Sequence, residues 1–168
     1  MSNIPTAIGR FIGLTGQSMQ TLSPNGRVLV VDDEENVRLL LERSLARLEP
    51  GIKVQVANSS AQALEFLKGE PFDLVIADYQ MPYMNGLELT RTIRQDYPNV
   101  KIVLMTAYPS RKIAEQVDEL KVDGYLLKPF STRYLRKIVF ALLASPEFPC
   151  PLPGGHCHDR KPSENSHC

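Results

Sequence analysis

Four apolar runs in this sequence end in side chains that together could handle a phosphoryl group. Asp32 and Asp33 follow Val28-Leu29-Val30-Val31, Asp78 closes the run from Phe72 to Ala77, Thr106 follows Ile102–Met105, and Lys128 follows Gly124–Leu127. Three carboxylates brought to one place repel one another and raise their own pKa values unless a cation is present. From Met1 to Pro149 there is neither histidine nor cysteine. Only hard oxygen ligands are therefore available, and Mg²⁺ or Mn²⁺ is the natural ion. Lys128 supplies a point charge for a phosphoryl oxygen, and Thr106 supplies one hydroxyl donor. Asp78, the central carboxylate, is the candidate nucleophile, because aspartyl phosphate is a known class of covalent intermediate. The same composition excludes disulfide scaffolds, cysteine or histidine nucleophiles and zinc catalysis from the body of the chain.

The elements that must position these residues follow from periodicity. Val28–Val31 reads as a buried strand with Asp32-Asp33 at its polar end. Val37, Leu40, Leu41, Leu45 and Leu48 then recur at helical spacing until Pro50-Gly51. Val54 and Val56 suggest a second strand, and Ser59 or Ser60 caps a helix carrying Leu64 and Leu67. After the third strand, Asn85 is the expected cap of a helix with Leu87, Thr90, Ile93 and Tyr97. Ile113, Val117 and Leu120 share a face of a fourth helix. Ser131 or Thr132 opens a fifth, whose Leu135, Ile138, Val139, Leu142 and Leu143 form an apolar stripe. Five strand-then-helix units predict an α/β, doubly wound, five-stranded parallel sheet with helices on both faces, a three-layer α/β/α architecture. In such a sheet the functional crevice lies beyond the carboxyl ends of the strands, where the polar residues listed above converge.

Bulk properties set the boundaries. The chain has 168 residues, with 19 Lys+Arg against 19 Asp+Glu, so no electrostatic footprint for nucleic acid or an anionic membrane is visible. No stretch approaches the roughly 20 apolar residues of a membrane span, and no secretory signal is apparent; the expected location is the cytoplasm. Residues 1–26 carry Arg10 as the one charge before Arg27, and Ile8, Phe11, Ile12 and Leu14 could form a helical turn or dock on the body; the region reads as a flexible arm. Residues 27–144 form the expected domain. Residues 145–168 hold five prolines, all three cysteines (Cys150, Cys157, Cys168) and all three histidines (His156, His158, His167). They read as a disordered tail, since their spacing fits no closed zinc site.

The segments Val30-Val31-Asp32-Asp33-Glu34-Glu35-Asn36, Asp78-Tyr79-Gln80-Met81-Pro82-Tyr83-Met84-Asn85-Gly86, Thr106-Ala107 and Lys128-Pro129-Phe130 together resemble the receiver domain of two-component response regulators, of the chemotaxis-regulator type with a flavodoxin-like fold. The resemblance covers about 27–144. It implies that Asp78 accepts phosphate from a histidine kinase or phosphotransfer protein, or from a small phosphodonor. It implies Mg²⁺ held by Asp33, Asp78 and the backbone carbonyl of Gln80, with Asp32 acting mainly through water. Thr106 would move toward the phosphoryl oxygen, Lys128 would pair with it, and the Tyr125 ring would turn inward. That change would alter the face made by the fourth helix, fifth strand and fifth helix, through which a downstream protein or a phosphorylation-promoted homodimer would be engaged. Lys128-Pro129 stands where the family has its usual cis peptide. Gln80 and Tyr108 occupy positions that tune the lifetime of the acyl phosphate.

Competing readings differ in class. A haloacid-dehalogenase-type phosphatase also uses an aspartate after a strand but needs a second acid two residues on, where Gln80 stands. A phosphorylation-independent interaction module would not require Asp78, Thr106, Lys128 and Tyr125 together. The expectation is a signalling switch without enzymatic turnover of its own beyond self-catalysed phosphotransfer and dephosphorylation, either a stand-alone receiver or a fragment of a larger regulator.

Overall fold

In the computed structural model, residues 26–48 and 51–144 are described; the arm and tail expected at the two termini, and Pro50, lie outside them. Five strands, β1 (Gly26–Val31), β2 (Ile52–Ala57), β3 (Leu74–Asp78), β4 (Lys101–Thr106) and β5 (Gly124–Leu127), alternate with five helices, α1 (Glu35–Leu45), α2 (Ser60–Gly69), α3 (Gly86–Asp96), α4 (Arg111–Glu119) and α5 (Thr132–Ala144). All strand pairs are parallel, in the order β2-β1-β3-β4-β5. This is the doubly wound arrangement whose strand order reverses between β1 and β3.

Alternation along the strands divides the core between the two faces. Leu29, Val31, Val75, Ala77, Ile102 and Leu104 pack against α2, α3 and α4. Val28, Val30, Leu74, Ile76, Val103 and Met105 pack against α1 and α5. Every residue of β3 is buried, as a central parallel strand covered on both faces requires.

Local chemistry fixes the helix starts. The Ser59 hydroxyl accepts from the Gln62 amide and the Ser110 hydroxyl from Ile113. Asn85 and Glu88 form a reciprocal capping box at α3, satisfying amides that have no partner within the helix. Ser131 accepts from the Tyr134 amide ahead of α5. Two expectations about helix faces need correction. Leu40 is 56% exposed rather than part of the α1 stripe, because burial follows Leu41, Ser44 and Leu45, one position round the helix. On α3, Leu89 is fully buried alongside Leu87, Thr90 and Ile93, giving that helix a wider buried face than the sequence stripe indicated.

Candidate functional site at the carboxyl edge of the sheet

The β1 and β3 strands end side by side, and each delivers one buried carboxylate. Asp32 is 1% exposed and Asp78 6%. Lys128, just past β5, reaches across β4 to both: its ammonium lies 2.7 Å from Asp78 Oδ1 and 3.0 Å from Asp32 Oδ2. The loops that carry these groups are stitched to the sheet by backbone bonds. The Tyr79 amide donates to the Met105 carbonyl and the Lys128 amide to the Thr106 carbonyl, each at 2.7 Å. The Lys128-Pro129 peptide is cis.

The remaining carboxylate oxygens are also engaged. The Glu34 amide donates to Asp32 Oδ1 and the Gln80 amide to Asp78 Oδ2, both at 2.9 Å. Both carboxylates are thus fixed in orientation by the residue two positions on, and Asp78 Oδ1 is left to the ammonium.

Charge at this edge is unbalanced, two buried carboxylates against one ammonium. Burial raises the pKa of Asp78 above the ordinary carboxylate value, and the neighbouring charge of Asp32 adds to this. The bonds from Lys128 and from the Gln80 amide pull the other way without cancelling it. For Lys128, burial acts to lower the pKa, but the bonds and charges of Asp78 and Asp32 outweigh it and hold the ammonium above its usual value. The ammonium therefore stays charged, and the aspartate is the group under strain.

Other residues singled out in the sequence stand nearby in different settings. Asp33 is exposed and lines an open cavity of about 460 Å³ with Tyr79, Gln80, Met81, Pro82 and Asn85. Thr106 is 1% exposed, and its hydroxyl accepts from the Tyr108 amide at 3.2 Å rather than bonding Asp78 or Lys128. The Tyr108 side chain is 66% exposed. Tyr125 is packed against the α2–α4 face of the core, with its hydroxyl buried and without a hydrogen-bond partner. Burial, and secondarily Tyr79, raise its pKa. Its hydroxyl is thus already shielded from solvent in this structure.

The donor set suits a hard divalent cation: carboxylates and a backbone carbonyl, with no histidine or cysteine among the described residues. Among those residues no three acidic, histidine or cysteine side chains close into a ready cage. Mg²⁺ needs no such cage, since it binds through one or two carboxylates and keeps several waters.

Three supporting contacts escaped the sequence reading. Arg38 donates to the Asp32 and Asp33 carbonyls, both at 2.8 Å; a basic residue five or six positions after an acidic strand end was the available signal. Ser60, buried, donates to the Met84 carbonyl at 2.8 Å and so holds the loop after Asp78 from the start of α2. Gly86 is required by close approach: a Cβ there would lie 2.3 Å from the Asp78 carbonyl oxygen. In the same loop Tyr83 is fully exposed in the left-handed region, with φ 67°.

Sheet order, the buried carboxylate pair and the bridging lysine define a class, and comparison with known proteins agrees with it. Residues 28–140 match the response regulator receiver domain, and the chain belongs to that family. It is 35% identical over 117 residues to the response regulator protein PilR of Pseudomonas aeruginosa, covering 70% of this chain and 26% of PilR. It is 34% identical over 143 residues to the sensor histidine kinase TmoS of Ectopseudomonas mendocina, covering 84% of this chain and 14% of TmoS. The chain thus spans about a quarter of PilR and a seventh of TmoS. Among solved structures, the Vibrio cholerae chemotaxis protein CheY4 superimposes with a TM-score of 0.64 at 28% identity, over 68% of this chain and 96% of that one. The protein contains a response regulator receiver domain of the kind found in two-component signalling.

Proposed function

We propose that this receiver is a phosphorylation-driven switch whose phosphoacceptor is Asp78. The observation that carries the reading is the Lys128 ammonium bridging Asp78 and Asp32, a cation fixed where phosphoryl charge would arrive. A carboxylate oxygen of Asp78 attacks the phosphorus of a phosphohistidine on a sensor kinase or phosphotransfer protein. The P–N bond breaks, its electron pair stays on the imidazole nitrogen, and an acyl phosphate remains on Asp78. Mg²⁺, held by Asp33, Asp78 and the Gln80 carbonyl with Asp32 acting through water, would neutralise charge on the transferring group. Lys128 then exchanges its bond to Asp78 for one to a phosphoryl oxygen, and Thr106 gives up the Tyr108 amide to donate to another. Movement of Thr106 is read by Tyr125 and by the α4–β5–α5 face, which contacts a downstream protein or a second phosphorylated copy. Loss of phosphate is hydrolysis: water attacks phosphorus and Asp78 leaves as carboxylate. The protein is a self-modifying switch rather than a turnover enzyme, working in the cytoplasm without direct nucleic-acid or membrane binding by the described residues; none of their helices is long and apolar enough to cross a membrane.

Gln80 and Tyr108 are the residues proposed to set the lifetime. The exposed Tyr108 ring has room to fold over the acyl phosphate and exclude water. Tyr108→Ala should then lose phosphate several-fold faster, read by decay of the phosphorylated mass; equal or slower decay refutes this role. The reading as a whole is tested by intact-protein mass after incubation with acetyl phosphate. One added phosphoryl group, dependent on Mg²⁺ and absent in Asp78→Asn, is the expected result. No addition from acetyl phosphate or from histidine-phosphorylated donors, with the fold intact, would point instead to a phosphorylation-independent interaction module.

A further inference from the structure

At the opposite, amino edge of the sheet an open groove of about 470 Å³ lies between the end of α2 and the end of α3. Leu67, Phe72, Tyr97 and Val100 supply its apolar surface, and Lys68 and Asp96 stand at its margin. It is remote from the Asp78 edge, so the proposed switch chemistry makes no use of it.

We propose that the groove is a docking site for this chain's own segment Ile8–Leu14. The first argument is where the chain enters the fold. Arg27, the second residue of β1, lies over the Phe72 ring at 5.4 Å and pairs with Glu70, and both partners line the groove. Gly26, where the described strand begins, therefore stands beside the groove, with Arg27 on the groove's face of the sheet. The second argument is length. Thirteen residues separate Ile12 from Gly26, a reach of up to about 45 Å at roughly 3.4 Å per residue, and loop closure over such a length costs little more than over a shorter one.

Chemistry supplies the third argument. Ile8, Phe11 and Ile12 stand at i, i+3 and i+4, the spacing by which a short helix presents one apolar face to a groove. The segment before Gly26 carries Arg10 and no acidic residue. Of the charges at the groove, Glu70 is neutralised by Arg27, Lys68 and Asp96 stand one against the other, and Asp96 is exposed with no ionic partner among the described residues. The exposed Asp96 thus offers Arg10 an opposite charge beside the apolar lining of the groove.

The test uses the full chain with photoreactive benzoylphenylalanine at position 11, mixed in equal parts with ¹⁵N-labelled copies. Irradiation should join position 11 to the 67–72 or 96–100 peptides within one chain. Cross-links confined to pairs of differently labelled chains would make the occupant a second copy and overturn the proposal. So would cross-links to other regions, the residues after Ala144 included, or none at all. Independently, Phe11→Asp with Ile12→Asp should speed amide exchange across 68–72 and 97–100 about tenfold, the change expected when two buried apolar anchors are lost; unchanged exchange also overturns it. Neither measurement depends on phosphorylation, so failure here and failure of the switch reading are separate results.

Discussion

The two edges of the sheet treat buried charge in opposite ways. At the carboxyl edge, Asp32 and Asp78 share the single ammonium of Lys128, and one aspartate is held above its ordinary pKa. At the amino edge, the Arg94 guanidinium pairs with Asp123 at 2.5 Å and also donates to the carbonyls of Val100, Leu120 and Lys121. Asp123 in turn accepts from the Ile102 amide at 2.8 Å. Here one cation meets one anion, and the freed carbonyls at the end of α4 are satisfied. The contrast teaches a division of labour: the Arg94–Asp123 pair at the amino edge is matched one to one and holds the fold together, while the carboxylates at the carboxyl edge outnumber their cation and so are ready to take a new partner.

The contrast can be broken first at the amino edge. Arg94→Met strands the Asp123 carboxylate and three carbonyls, which should cost about 3 kcal/mol in urea unfolding, as for other broken part-buried pairs. Phosphoryl uptake by the folded fraction should stay within about twofold of wild type. Uptake falling in proportion to stability would show that the edges are not separate. Lys128→Met at the carboxyl edge should cost less, about 2 kcal/mol at neutral pH, because Asp78, losing a group that lowers its pKa, can take up a proton instead. Its signature is a marked upward move of the Asp78 titration followed by carboxyl ¹³C shifts; no move would remove the charge argument.

Asp78→Asn sharpens the comparison. A carboxyl whose pKa is raised by folding opposes folding in its charged form, so the neutral amide should leave stability unchanged or raise it by up to about 1 kcal/mol while abolishing phosphoryl uptake. A clear loss of stability would mean that the Lys128 bond outweighs burial. The smallest effect is the pH dependence itself. Because the folded pKa of Asp78 lies above 3.8, its contribution to stability is fully present below pH 3.8 and is lost as pH rises through the folded pKa. Without Mg²⁺, the difference in urea stability between wild type and Asp78→Asn should therefore change with pH above 3.8. A difference that changes only at or below that value contradicts the assignment.

How much of this was legible beforehand depends on the kind of signal. Strand ends are readable because an apolar run must stop at a polar residue, and that rule alone collected Asp32, Asp78, Thr106 and Lys128. The cap at Asn85 was equally readable, since a side-chain oxygen ahead of an amphipathic stretch has a specific use. Leu40 was misplaced because it adjoins Leu41 in a leucine run, and only the neighbouring elements decide which of them faces the sheet. Arg94, and the close approach that requires Gly86, were invisible for a related reason. Their roles are contacts with residues 26 to 29 positions away, or with a backbone oxygen eight residues back, and no local pattern encodes them. The Thr106 hydroxyl shows a further limit: the sequence places it at the right strand end but not on the Tyr108 amide it meets.

The shortness of β5 bears on how this protein behaves when concentrated. Among the described residues β5 pairs only with β4 and forms one margin of the sheet, and a margin of unpaired amides and carbonyls is a template for adding foreign strands. Here the template is four residues long, and one residue beyond its end stands Pro129, which has no amide to offer. At the other margin β2 is longer but presents the exposed Lys53, a charge that disfavours stacking of like strands. Both sides of the sheet are therefore poor seeds for fibrils, so assembly between copies is left to side-chain surfaces, where regulation can reach it.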